Sequence, residues 1–121
     1  MSSYRDLDIY KVSLDLFVRV HQFSFKLPKY ETYELGSQLR RSADSVNSNI
    51  VEGYGRKTYK NDYIRFLVFS NSSNDETVNH LKKINLLYPS ISIEVIQLIK
   101  EYETLGRRIY SYIEYVRKNW K

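Results

Sequence analysis

The stretch TYKNDYIRFLVFSNSSNDETVNHLKKINLLY, residues 58–88, decides how many elements this chain has. Its two ends are apolar at helical spacing, but its middle, Ser70-Asn71-Ser72-Ser73-Asn74-Asp75, is made of residues whose short polar side chains compete with the helical backbone. Read as a loop, that middle splits the stretch in two. Read as helix, it leaves one long element. The apolar phase settles the choice, because Tyr63, Phe66 and Leu67 before the polar run are continued by Leu81 and Ile84 after it, and a loop would reset that phase. The spacing therefore predicts a single helix from about Thr58 to Tyr88. Thr58 is its candidate cap and Pro89 its stop, and the inward line runs through Tyr59, Tyr63, Phe66, Leu67, Ser70, Ser73, Asn74, Thr77, Leu81, Ile84 and Leu87 or Tyr88.

Three more segments emerge on either side. From about Leu7 to Lys26, Ile9, Val12, Leu16, Val20 and Phe23 recur at three-and-four spacing, with Pro28 beyond the end. A second apolar line, Tyr10, Leu14, Phe17, Val18 and Phe25, widens that face beyond what one bundle core needs, and is expected to meet another surface as well. From about Thr32 to Glu52 the stripe is Leu35, Leu39, Ala43, Val46 and Ile50, with Thr32 as candidate cap and Gly53 and Gly55 as terminators. The last segment, capped by Ser90 or Ser92, carries Val95, Leu98, Ile99, Tyr102, Leu105, Ile109, Tyr112, Ile113 and Val116 and ends near Trp120. Four such stripes joined by short links imply an all-α, antiparallel up-down-up-down four-helix bundle, one domain over residues 1–121.

Composition agrees and narrows the function. The chain has 121 residues, 42% hydrophobic and 27% charged, with only 4 Gly and 2 Pro but 12 Tyr. These are the proportions of a folded domain with few helix breakers. There is no cysteine, which removes disulfides, thiolate nucleophiles and cysteine zinc sites. No run approaches the ~18 apolar residues of a membrane span, and acidic residues occupy the first ten positions where a signal peptide is basic and then apolar, so the cytoplasm is the expected compartment and no membrane the expected partner.

Catalytic constellations are not found. His21 and His80 fall on different helices, with no HExxH spacing. Some four-helix RNases place an arginine four to six residues before a histidine on one helix. Here those positions hold Asn74, Asp75 and Glu76, or Asp15, Leu16 and Phe17. The close carboxylates, Asp6 with Asp8 and Glu101 with Glu103, stand two apart and so face different sides of a helix. No enzyme activity, cofactor or metal is expected.

What stands out is charge. The chain carries 19 Lys+Arg against 14 Asp+Glu, a formal +5 with a pI near 9.3. Between Gln38 and Arg65 lie Arg40, Arg41, Arg56, Lys57, Lys60 and Arg65 against Asp44, Glu52 and Asp62. Arginine forks and lysines suit phosphate oxygens, and Tyr54 and Tyr59 beside them suit stacking on unpaired bases. Two readings stand side by side: an RNA-binding surface, or a solubilising face whose arginines pair with carboxylates of neighbouring helices. A second basic set, Arg107, Arg108, Arg117, Lys118 and Lys121, is offset by Glu101, Glu103 and Glu114 and reads more simply as a solvated face.

The run from Ser37 to Arg56, SQLRRSADSVNSNIVEGYGR, resembles the signature of the four-helix bundle proteins encoded in intervening sequences of bacterial 23S ribosomal RNA genes. The opening Tyr4-Arg5-Asp6-Leu7-Asp8-Ile9-Tyr10, the Leu27-Pro28 link and Tyr63-Ile64-Arg65-Phe66-Leu67 fit the same pattern. The sequence departs from it at Val46-Asn47, where the family has Ile-Pro before Ser-Asn-Ile, and in the polar middle of the third helix. The resemblance implies a ring-like homopentamer and kinship with the accessory protein of diversity-generating retroelements, which partners a reverse transcriptase and RNA. It implies a basic functional surface at Arg40, Arg41 and Arg56, the positions that match the motif. A structural role for Arg40 and Arg41, pairing with Glu52 at a subunit interface, remains beside it. Five chains at +5 each would carry a formal +25. The expected function is accordingly a non-enzymatic homo-oligomer that binds RNA or DNA. The alternative is a protein-interaction scaffold that recruits a partner enzyme.

Overall fold

The computed structural model describes residues 3–121; Met1 and Ser2, the first two positions of the expected domain, lie outside them. Four helices account for most of the chain: α1 (Asp8–Ser24), α2 (Leu35–Gly55), α3 (Lys60–Leu87) and α4 (Ser92–Asn119), with no strand among the described residues. Short 3-10 turns at Tyr4–Asp6, Lys29–Glu31 and Pro89–Ile91 lead into α1, α2 and α4.

The helices pack as a bundle. α3 lies between α2 and α4, α2 also meets α1, and the seam between α1 and α4 is the thinnest. Leu16, Val20 and Phe23 of α1, Leu39, Val46 and Ile50 of α2, Tyr63, Leu67, Leu81 and Ile84 of α3 and Val95, Leu98, Leu105 and Ile109 of α4 are all buried in one core cluster.

The polar middle of α3 is continuous helix because its polar side chains are used as interhelical donors. Ser70 Oγ donates to the Val46 carbonyl at 2.6 Å, Ser73 and Ser45 share a hydroxyl hydrogen bond of 2.7 Å, and Thr77 Oγ1 donates to Ser42 Oγ at 2.9 Å. On the other side, Asn74 Nδ2 donates to the Tyr102 carbonyl at 2.8 Å. Buried hydroxyls and amides that find partners are tolerated in a core and fix which residues face one another. The same logic accounts for Asn47, which continues α2 and donates to Ser13 Oγ of α1 at 3.1 Å.

Several expectations at the helix ends are corrected. Thr58, Thr32, Ser90 and Ser92 cap nothing: the residues preceding α3, α2 and α4 are Tyr59, Glu34 and Ile91, none with a side-chain cap. At α2 the buried carboxylate of Glu31 lies 3.5 Å from the Leu35 N–H instead, and an anion there suits the positive end of the helix. α2 ends at Gly55, as expected, but not in a left-handed conformation, since no glycine has positive φ, and Gly53 lies within the helix. Gly53 is small for packing: a Cβ there would stand 3.1 Å from Phe66 Cβ and 3.3 Å from Tyr63 Cδ1. On the inward line of α3, Tyr59 and Leu87 prove to be exposed.

The second apolar line of α1 splits. Tyr10 and Phe17 pack against the core, whereas Leu14, Val18 and Phe25 are exposed. Three ion pairs cross from α1 and the residues beside it to α4: Arg108 with Asp8 at 2.6 Å, Arg19 with Glu101 at 2.6 Å, and Lys26 with Glu94 at 2.7 Å.

Candidate nucleic-acid interface

The six basic residues singled out in the sequence do not form one cluster. Arg40 and Arg41 lie in the first half of α2 and Arg56 just past its end, sixteen residues and thus about 24 Å away along the helix axis. Arg40 is half-buried and committed locally. Its guanidinium donates to Ser24 Oγ at 2.8 Å and to the Thr32 carbonyl at 2.6 Å, and it stands 4.8 Å from the centre of the Phe25 ring. It therefore ties the end of α1 and the following link to α2. Arg41 is exposed. Within the chain Glu52 pairs with neither; its partner is Arg56 at 3.1 Å.

The other four converge at the far end of the bundle. Arg56 follows α2, stacks 4.8 Å above the Phe66 ring and lies 3.9 Å from Asp62. Lys57 Nζ donates to the Tyr54 hydroxyl at 2.9 Å. Lys60 opens α3 and donates to the Arg117 carbonyl at 2.6 Å, so it caps the last turn of α4. Arg65, one turn further, lies 4.9 Å from the Phe66 ring and pairs with Asp62 at 3.4 Å.

The contact between Lys60 and Arg117 shows what sequence reasoning missed. Trp120 Nε1 donates to the Lys57 carbonyl at 3.0 Å, and with the Lys60 bond this pins the end of α4 against the α2–α3 link. Arg117, Lys118 and Lys121 thereby join Arg56, Lys57, Lys60 and Arg65. The opening 3-10 turn adds Arg5, since Tyr4 packs edge-on to Tyr54 with ring centres 6.4 Å apart. One end of the bundle thus gathers eight cations, opposed by Asp6, Glu52, Asp62 and Glu114. Arg117 pairs with Glu114 at 3.1 Å. No signal in the sequence joins residues 56–65 to residues 117–121; only the chain's return path does.

Beneath this end lies an aromatic cluster. Tyr63 is central, 6.2 Å from Tyr54, 6.1 Å from Tyr112 and 5.4 Å from Trp120 between ring centres, all edge-to-face. Its hydroxyl shares a 2.8 Å hydrogen bond with that of Tyr112, and burial raises the pKa of both phenols above the ordinary tyrosine value. The expectation that Tyr54 stacks on bases is corrected: it is only 9% exposed and belongs to this cluster. Tyr59 is 70% exposed and keeps a free face.

The opposite end exposes large apolar side chains. Phe25, Tyr30, Tyr33, Leu86, Leu87 and Ile93 are exposed there, around a hydrogen bond of 2.9 Å between the Tyr30 and Tyr88 hydroxyls. The Tyr88 hydroxyl in turn donates to Glu31 at 2.5 Å, which raises the tyrosine pKa. Of the two histidines, His21 is exposed between Phe17 and Phe25 and His80 is buried on α3. No helix among the described residues is long and apolar enough to cross a membrane.

The family model described as 23S rRNA-intervening sequence protein matches residues 5–111. A comparison with curated proteins finds no match.

Proposed function

Because the chain belongs to the family of 23S rRNA-intervening sequence proteins, we propose that it is a non-enzymatic, basic homo-oligomer that binds single-stranded RNA through the end of the bundle formed by the α2–α3 link and the end of α4. The observation that carries this reading is the meeting of Arg56, Lys57, Lys60 and Arg65 with Arg117, Lys118 and Lys121 on one surface. Cations in excess over carboxylates attract a phosphate backbone, and exposed Tyr59 offers a face to a base. In this reading Arg40 is a structural staple and Arg41 a peripheral charge. An up-down-up-down order is supported by pairs whose numbers rise on one helix as they fall on the next: Ser13 with Asn47 and Ser24 with Arg40, Ser45 with Ser73 and Ser42 with Thr77, Tyr63 with Tyr112 and Asn74 with Tyr102. The oligomer is a pentameric ring in the cytoplasm, and exposed Leu14 and Val18 suit burial against a second subunit.

The test is a titration of labelled single-stranded RNA at several salt concentrations, followed by anisotropy. Log affinity is expected to fall linearly with log salt, by about 0.7 per phosphate contacted. Absence of binding at low salt overturns the reading. A second reading, a scaffold for a partner enzyme, is favoured by the apolar end at Phe25, Tyr33, Leu86, Leu87 and Ile93. A protein partner retained after nuclease treatment, and lost on replacing Leu86 and Ile93 with serine, would support it.

A further inference from the structure

We propose that Arg56, Arg65, Phe66 and Phe69 form a stacking platform for the unpaired bases of a single strand, on which the two arginines meet bases with their planes and leave the phosphates to the lysines. The proposal rests on the nucleic-acid reading above and divides the work within that same end of the bundle.

The platform stands on the α2–α3 side. Phe66 is its seat. It is half-buried and lies close to the backbone of α2 because Gly53 has no side chain: a Cβ there would stand 3.1 Å from Phe66 Cβ. The guanidinium carbon of Arg56 lies over the Phe66 ring, 4.8 Å from its centre, and that of Arg65 lies 4.9 Å from the same centre. Phe69, one turn further along α3, stands edge-on to Phe66 with 5.5 Å between ring centres, and Arg65 lies 5.8 Å from the Phe69 ring as well. Each guanidinium is thus attracted to a ring on one side. Phe69 is 42% exposed, and the side chains of Arg56 and Arg65 keep 44% and 53% of their surface in solvent.

The edges of both arginines are already engaged. Glu52 accepts from Arg56 Nε at 3.1 Å, and Asp62 lies 3.9 Å from Arg56 and 3.4 Å from Arg65. A phosphate arriving here would have to displace a carboxylate or stand beside its negative charge. A base does neither, because it settles on the open side of the guanidinium plane or on the Phe69 ring. The carboxylates and Phe66 together hold the planes in place before any ligand arrives, so less side-chain freedom is lost on binding. Lys57, Lys60, Lys118 and Lys121 have no plane to offer and are compact, hydrated charges suited to phosphate. Stacking accepts every base, so the platform adds affinity for strands with unpaired bases and no preference of sequence.

The experiment titrates two labelled strands at low salt and follows anisotropy: a uridine dodecamer, and an abasic dodecamer that has the same sugar-phosphate chain without bases. The proteins are the wild type, the double variant Arg56→Lys with Arg65→Lys, which keeps both charges and removes both planes, and Phe69→Ala. The wild type is expected to bind the uridine dodecamer about tenfold more tightly than the abasic one, in line with the worth of a stacked base. Each variant is expected to narrow that gap to within about threefold, with the loss falling on the uridine dodecamer. Thermal unfolding of each variant accompanies the titrations, and Phe69→Ala, at an exposed site, decides the matter if the double variant perturbs the fold. Equal wild-type affinity for the two dodecamers overturns the platform and leaves the basic end standing. So does a gap that persists in either folded variant, or a loss that falls equally on the abasic strand. No binding of either dodecamer at low salt overturns both readings.

Discussion

Replacing Lys118 and Lys121 together with alanine separates the basic end from the rest of the molecule's charge. Both are exposed and follow the turn of α4 that Lys60 caps, so their removal takes away two cations without opening the core. If each contacts one phosphate of a single strand, the slope of log affinity against log salt becomes shallower by about 1.4, at about 0.7 per contact. Over the fourfold rise from about 50 to 200 mM salt, that difference amounts to about 0.84 of a decade, or sevenfold. The double variant should thus bind more weakly at low salt and lose about sevenfold less of its affinity across that range. Arg41→Ala is the internal control. It removes one exposed cation about 22 Å along α2 from Arg56, about twice the screening length at 0.1 M salt, and should leave the slope unchanged. Anisotropy with one labelled RNA at four or five salt concentrations reads both. A slope that shifts with Arg41→Ala but not with the lysine pair would refute the placement of the interface.

Two glycines of α2 should respond oppositely to alanine. Gly55→Ala meets nothing within 4 Å and should stabilise the protein by about 0.5–1 kcal/mol, whereas Gly53→Ala must displace Phe66 or Tyr63 and should destabilise it by about 1–2 kcal/mol after the helix-propensity gain; urea unfolding of both variants checks this. Ser70→Ala removes the buried bond to the Val46 carbonyl and should cost about 1 kcal/mol in the same assay, with the helix content of the folded state unchanged by circular dichroism. The Glu101 carboxyl is held below its ordinary pKa, chiefly by its hydrogen bond from Arg19. A depressed carboxylate pKa contributes stability that is present above about pH 4.3, the unfolded value, and is lost as pH falls through the folded value. Arg19→Gln should flatten that part of the stability profile, by less than about 1 kcal/mol because both side chains are partly exposed; a profile unchanged between pH 2 and 6 would count against the pair.

The fold was legible where apolar phase carries the information. The line through Tyr63, Leu67, Leu81 and Ile84 is a property of one helix and survives a polar interruption, so the unity of α3 was readable even though the partners of Ser70, Ser73, Asn74 and Thr77 were not. Caps were less readable, because a hydroxyl near a helix start is one of several ways to satisfy the first N–H groups. Here short 3-10 turns and the Glu31 carboxylate stand in those places. The candidate interface was half legible. Composition marked residues 56–65 as basic, but their proximity to residues 117–121 depends on where α4 ends in space. The burial of Tyr54 likewise depends on Tyr4 and Tyr63, distant neighbours in sequence. Arg40 looked like its neighbour Arg41 and differs from it only through Ser24 and Thr32, which belong to another helix and a link.

The ion pairs between α1 and α4 give the bundle an uneven circumference. Its first and last helices meet at a seam held by Asp8 with Arg108, Arg19 with Glu101 and Lys26 with Glu94, long side chains reaching across from partly exposed positions. The α2–α3 seam is sewn with short hydroxyls in the interior. Added salt weakens the first kind of fastening and barely touches the second. In this respect the four helices resemble a strip rolled into a tube, whose salt-sensitive contacts are gathered along one line while the hydroxyl bonds between α2 and α3 lie out of reach of screening.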